Sequence, residues 1–182
     1  MLSSRRATLV LGSALCCFAL AACSLHPLYA PPAEDASADD RAVAQDLASV
    51  GVDPIADRRG QLLRNRLSNM LRPEDTPEAQ KYRLNIELTE SEESLAVRHT
   101  GFATRSTLRI TAVYRLIDNT NGQPVLAGAV NALSSYDLLD NDFSTLTAIN
   151  DARSRVVDRL AGDLRNRLAL YFATQPVVAT AP

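Results

Sequence analysis

From Tyr82 to Leu88 apolar and polar residues alternate, with Tyr82, Leu84, Ile86 and Leu88 on one parity and Arg83, Asn85 and Glu87 on the other. A period of two marks a strand with one face buried and one face wet. The polar run TESEES follows, before Leu95-Ala96-Val97 resumes the apolar pattern. One strand that continues past an interruption or bulge accounts for this. RHTG, Arg98 to Gly101, reads as a turn. Alternation returns from Thr104 to Asp118, where Leu108, Ile110, Ala112, Tyr114 and Leu116 face one way. Asp118-Asn119-Thr120-Asn121-Gly122 is hairpin chemistry, because Asn and Gly accept positive φ. Val125 to Leu139 supplies the return strand. These three strands are long, contiguous and antiparallel by connectivity.

Two stretches switch to a helical period. In Arg58 to Arg72, Leu63, Leu67, Met70 and Leu71 fall at i, i+4, i+7 and i+8, one apolar stripe. Arg59, Arg64, Arg66 and Arg72 lie mostly off that stripe, and Pro73 ends the helix. A basic helix face of this kind is ordinarily solvated; contact with acidic headgroups is the other reading. The last helix is expected from about Thr145 to Phe172, capped by Asp142 or Ser144. Its stripe is Val157, Leu160, Leu164, Leu168 and Tyr171, with Arg153, Asp158, Arg159, Asp163 and Arg165 on the other side. From Asp46 to Ile55 the pattern suggests a short first strand, which Pro54 confines to an edge or an end. The order β-α-β-β-β-α predicts an α+β, two-layer sandwich, with two helices on one face of a four-stranded, mainly antiparallel sheet.

The amino terminus is of another kind. Arg5 and Arg6 precede an uncharged, apolar run from Ala7 to Leu20, and Leu20-Ala21-Ala22 offers small residues for a peptidase. The run is shorter than the roughly 20 residues a spanning helix needs, so residues 1–22 read as a removable signal peptide. Leu20-Ala21-Ala22-Cys23 matches the bacterial lipobox. That resemblance implies a diacylated Cys23, cleavage before it and acylation of the new amino terminus. Two or three chains anchor stably, at about 0.8 kcal/mol per buried methylene. Ser24 stands where an Asp would direct retention in the inner membrane, so the sorting rule implies the outer membrane. Ser4-Arg5-Arg6 also resembles a twin-arginine signal, with Thr8 in place of an apolar residue, and both export routes stay open.

This changes the cysteine count and the charge. Cys16 and Cys17 leave with the signal and Cys23 carries lipid, so no disulfide is available to the mature chain. Without Arg5 and Arg6 there remain 17 basic and 21 acidic residues, a net charge of −4, which does not suit wholesale nucleic-acid binding. Residues 23–45, with Pro27, Pro31, Pro32 and the polar EDASADDR, read as a lipidated, flexible tether. Residues 46–173 are expected to form one domain and residues 174–182 a frayed tail.

Catalytic patterns are sparse. His26 and His99 have no metal-ligand spacing around them, and there is no nucleophile elbow or phosphate loop. Asp137, Asp140 and Asp142 lack the glycine and closing glutamate of a calcium loop. Neither an enzyme, nor a metal, nor a cofactor is expected. A basic pattern does emerge. Between Ser94 and Ile117 there is no acidic residue, yet Arg98, Arg105, Arg109 and Arg115 occur, with His99 beside them. Arg105, Arg109 and Arg115 are opposite in parity to Leu108, Ile110 and Tyr114, so they share the face turned from the helices. Arginine's planar fork suits phosphate and carboxylate. An ordinary wet sheet face, its arginines paired with Glu87 and neighbouring acids, is the competing reading. Thr107, Thr111 and Val113 on that face also leave room for a protein contact.

The lipobox, the segment Pro27-Leu28-Tyr29, the run DRRGQLLRNRL, a three-strand meander and a long final helix together resemble the LPS-assembly lipoprotein family LptE, in its alphaproteobacterial form. Ser24-Leu25-His26 departs from that pattern, where Gly and an aromatic residue are expected. The resemblance implies a plug inside the outer-membrane β-barrel LptD, which helps that barrel fold and joins it in placing lipopolysaccharide in the outer leaflet. It also implies lipopolysaccharide binding: Arg98 is the first candidate for a lipid A phosphate, followed by Arg105 and Arg109. The second loop, Asp137 to Ser144, is acidic and does not extend that basic path. Two other functions remain open on the residues. One is a periplasmic lipid carrier or chaperone, which needs a roomy apolar cavity that four Phe and no Trp do not favour. The other is a structural accessory lipoprotein of an envelope secretion machine.

Overall fold

The computed structural model describes residues 38–72, 80–97, 103–138 and 141–175. They form three helices and a four-stranded sheet: α1 Ala38–Ala48, β1 Val50–Val52, α2 Asp57–Leu71, β2 Tyr82–Val97, β3 Ala103–Asp118, β4 Pro124–Asp137 and α3 Asp142–Thr174. The strands lie in chain order, with β1 parallel to β2 and the rest antiparallel. The α+β sandwich expected from the pattern is therefore present, with one helix more than expected. A 16-residue strand spans about 53 Å, and the 33-residue α3 about 50 Å, so α3 can lie along the whole sheet.

The alternation sorts the residues of β3. Leu108, Ile110, Ala112 and Leu116 are sealed from solvent, and Tyr114 nearly so. Facing them are Leu63, Leu67 and Leu71 of α2 and Val156, Val157, Leu160, Leu164 and Leu168 of α3. β2 contributes Leu84 and Ile86, and β4 contributes Val130 and Ala132. At one end of the layer Phe172 packs against Tyr82, ring centroids 5.2 Å apart. Each fully buried aliphatic side chain contributes about 1.5–3 kcal/mol relative to exposure.

The connections follow from their residues. In the β3–β4 hairpin the Asp118 carboxylate accepts from Thr120 N at 2.7 Å, and Gly122 takes φ +70°. The bulge expected near Leu95 appears as a register shift between Ser94 and Ala96. α3 starts earlier than expected and its cap is Asn141, whose Oδ1 accepts from Phe143 N and Ser144 N. Neither Asp142 nor Ser144 takes that role. In α2, Gly60 lies against Ile55 so closely that an added Cβ would stand 2.6 Å from the Ile55 Cγ2.

Residues 38–45, expected to belong to a flexible tether, instead make up most of α1. This helix has no apolar stripe to announce it; its one buried residue is Leu47. Asp39 and Asp40 favour the positive end of the helix dipole, and alanine carries no propensity cost. Its carboxyl end is held from outside: Arg72 donates from Nε to the Ala48 carbonyl at 2.7 Å and from a terminal nitrogen to the Val50 carbonyl at 3.2 Å.

Other arginines on the basic face of α2 are bonded as well. Arg64 donates to the Val52 carbonyl at 3.1 Å, Arg66 pairs with Asp158 of α3 at 3.0 Å, and Arg59 pairs with Asp57 and Glu90. All four arginines are thus engaged within the domain. They tie α2 to β1, β2 and α3, while Arg64 and Arg66 stay exposed, so the face is solvated and also bonded within the domain.

Candidate functional site: the helix-free face of the sheet

The side of the sheet away from the helices is set by β3. Arg105, Thr107, Arg109, Thr111, Val113 and Arg115 alternate with the buried set, and the three arginines and Val113 are exposed. The register gives each its neighbours. Arg109 stands between Ser91 and Leu133, and Arg115 between Asn85 and Ala127. Arg105 stands between Ala96 and Asp137, and pairs with Asp137 at 3.4 Å. Both partners of that pair are more than half exposed, at 55% and 64%. Water and salt screen such a pair to about 0–1 kcal/mol.

Pairing with Glu87, the alternative for this face, does not occur. Glu87 stands opposite Val113, two residues along β3 from Arg115. Among the described residues Arg109 and Arg115 have no ion-pair partner. The cations are not clustered either. Four and six residues separate them along β3, about 13 and 20 Å at the strand rise. Val113 and Leu133, 42% and 41% exposed, stand among them, and Thr107 shares a hydroxyl hydrogen bond with Ser135 at 2.9 Å. The face is therefore a row of separate guanidiniums set in small polar and aliphatic side chains. Such a surface can meet several anionic groups of an extended amphiphile, and it does not form a closed pocket for one small ion.

Of the residues singled out in the sequence, Arg105 and Arg109 share this face. Cys23 and Arg98 lie outside the described residues, as does Asp140 of the acidic loop. Among the described residues no three His, Cys, Asp or Glu side chains come together as a metal site, and no helix is long and apolar enough to cross a membrane.

A second polar group was not expected. Glu90, within the run TESEES, has the parity of Leu84 and Ile86 and points under the helices. Its side chain is only 15% exposed. Arg153 of α3 donates to Oε1 from two nitrogens, at 2.9 and 3.3 Å, and Arg59 of α2 bonds Oε2. Burial raises the Glu90 pKa, but the two guanidiniums outweigh it and hold the carboxyl below its ordinary range. Two residues on, Glu92 accepts from the Tyr136 hydroxyl. Burial, then this hydrogen bond, pushes that phenol up to about 12. Arg153, expected on the side of the last helix away from its apolar stripe, is turned toward the sheet. The signal was in the spacing: Arg59 precedes Leu63 by four and Arg153 precedes Val157 by four, which places both on apolar stripes. This group clips both long helices to β2.

Comparison with known proteins agrees with the fold. The model of the family LptE, described as lipopolysaccharide-assembly, matches residues 47–168. A crystal structure from Caulobacter crescentus, of a protein described only as a lipoprotein, is 25% identical with a TM-score of 0.59, covering 73% of this chain and 97% of that one. A minor lipoprotein of Acinetobacter baumannii is 19% identical with a TM-score of 0.53, covering 66% of this chain and 90% of its own. An uncharacterized lipoprotein B of Nitrosomonas europaea, solved by NMR, is 12% identical with a TM-score of 0.52, covering 69% and 83%. No curated protein matches the chain.

Proposed function

The chain belongs to the LptE lipopolysaccharide-assembly family, and from that premise we propose that it is an outer-membrane lipoprotein anchored through Cys23. In this reading it plugs the β-barrel LptD and takes part in delivering lipopolysaccharide to the outer leaflet. The family role is that of an accessory lipoprotein in lipopolysaccharide assembly, which calls for binding surfaces and not for a reaction centre.

One observation carries the proposal: the helix-free face holds Arg109 and Arg115 without ion-pair partners among the described residues, beside exposed Val113 and Leu133. Guanidiniums among aliphatic side chains match a phosphorylated amphiphile better than a purely charged or purely greasy face would. Arg98, the residue that follows the last residue of β2 in sequence, and Arg105 belong to the same proposed contact. A barrel lumen is polar and wet, and a mixed sheet face suits it.

The test is extraction of membranes in mild detergent from cells expressing a carboxyl-tagged chain, followed by mass spectrometry of what co-purifies. A near-equimolar outer-membrane barrel is the expected result. A chain that emerges alone, or with lipid only, would remove the plug and leave lipid carriage as the better reading.

A further inference from the structure

The two edges of the sheet end in different ways. Along β4, α3 reaches over the edge: Arg159 donates to the Leu133 carbonyl at 3.3 Å and Arg155 to the Ser135 carbonyl at 3.4 Å. Along β2, the neighbour β1 stops after three residues. Asp53 N still bonds the Leu84 carbonyl at 3.0 Å, and then the chain turns away, with Asp57 at φ +67°, into α2. Backbone groups alternate sides along a strand, so those of Ile86, Leu88, Glu90 and Glu92 point like those of Leu84, toward the vacated side. Among the described residues nothing bonds them. Pro54, Ile55 and Ala56 stand off from Asn85 to Leu88, and between them lies a depression of about 340 Å³. From Ile86 to Glu92 the open edge is about 23 Å long, the length of an ordinary strand.

The side chains of this edge restrict what can occupy it. Glu87, Glu90, Glu92 and Glu93 fall within seven residues. Glu90 is neutralised from beneath by Arg59 and Arg153 and Glu92 is bonded by Tyr136. Glu87 and Glu93 are exposed on the outer face, with no ion pair among the described residues. A second copy of the edge would bring like charges face to face, which is the usual device against self-pairing. A basic strand would meet the opposite situation.

We propose that the β2 edge from Ile86 to Glu92 accepts an extended, basic polypeptide segment of a partner protein as a fifth strand, while its glutamates exclude copies of the chain itself. The strand would form main-chain hydrogen bonds with Ile86, Leu88, Glu90 and Glu92, and its cations would face Glu87 and Glu93. This inference is independent of how the arginine face is used, because edge and face recognise different chemistry.

The test uses the full chain in mild detergent and three labelled nine-residue peptides. The first alternates Arg with Thr and Val, the second has Glu in place of every Arg, and the third is the Arg peptide with a central Pro. The Arg peptide is expected to bind at least about tenfold more tightly than either of the others. Amide exchange read by NMR should slow at Ile86, Leu88, Glu90 and Glu92 when it binds. The double variant Glu87→Lys/Glu93→Lys, altered only at exposed positions, should reverse the preference toward the Glu peptide. Equal binding of the proline peptide, an unchanged preference in the double variant, no binding at all, or slowed exchange elsewhere than at those four amides would each overturn the proposal.

Discussion

On β3, the even-numbered side chains from Leu108 to Leu116 are sealed beneath α2 and α3, while Arg105, Arg109, Val113 and Arg115 face away from every helix. The two sets alternate on one backbone and share its hydrogen bonds, yet they answer to different constraints. The inner set must fill a fixed volume between packed helices, so each carbon counts toward stability. The outer set touches mainly its cross-strand neighbours, so it can carry guanidiniums at little cost to the fold. A recognition surface there, as proposed, would separate what the domain binds from what holds it together.

The largest break in this comparison should come from the inner set. Leu108→Ala is expected to cost about 3 kcal/mol of unfolding free energy, against about 0.5 kcal/mol or less for Thr111→Ala on the outer side. Urea unfolding of both variants measures the difference, and similar costs would mean that the parity assignment is wrong.

Next in size is the buried clip. Glu90→Gln should cost about 2 kcal/mol at neutral pH, since hydrogen bonds to charged groups are the stronger kind. The folded pKa of Glu90 lies below its ordinary value of 4.5, so its contribution is complete above 4.5 and is lost as pH falls through the lower, folded value. The stability gap between wild type and variant should therefore close in acid, and a gap that persisted well below that range would rule out the carboxylate as its source.

The outer arginines should show the reverse behaviour. Arg109→Ala combined with Arg115→Ala is expected to leave stability within about 0.5 kcal/mol, while lipopolysaccharide binding weakens about tenfold or more. Titration of labelled lipopolysaccharide against each variant reads this directly. Unchanged binding would detach these residues from the proposed contact.

The smallest effect belongs to Tyr136→Phe, about 1 kcal/mol near neutral pH. The raised folded pKa, about 12, means that the hydroxyl stabilises fully below the ordinary value of 10.0 and ceases to as pH climbs through about 12. Ultraviolet titration should show the tyrosinate step near 12 disappearing in the variant.

Much of this architecture is legible in the residues because β-strands declare themselves by parity. Tyr82 to Leu88 and Leu108 to Leu116 announce which side is buried, and Asp118 to Gly122 announces the hairpin. The stripes of α2 and α3 are equally plain, and so is the outward position of Arg105, Arg109 and Arg115. Helix α1 was not legible, because one buried leucine makes no stripe; its place depends on Arg72, 24 residues further from the carbonyl it caps. The run TESEES misled for a related reason. Polar residues on a buried parity look like an interruption until partners from elsewhere are known.

By itself, then, the sequence determined the periodicities, and through them the layers, the turns and the sidedness of β3, since these are local properties of a chain with a fixed backbone geometry. Only the tertiary structure decided which charges are neutralised. Glu90 meets Arg59 across 31 residues and Arg153 across 63, whereas Glu87, opposite Val113, meets no arginine among the described residues. The length of β1 likewise decided that, among the described residues, one edge of the sheet stays open. Pairing between distant residues depends on where folding brings the elements together, and no local pattern encodes that position.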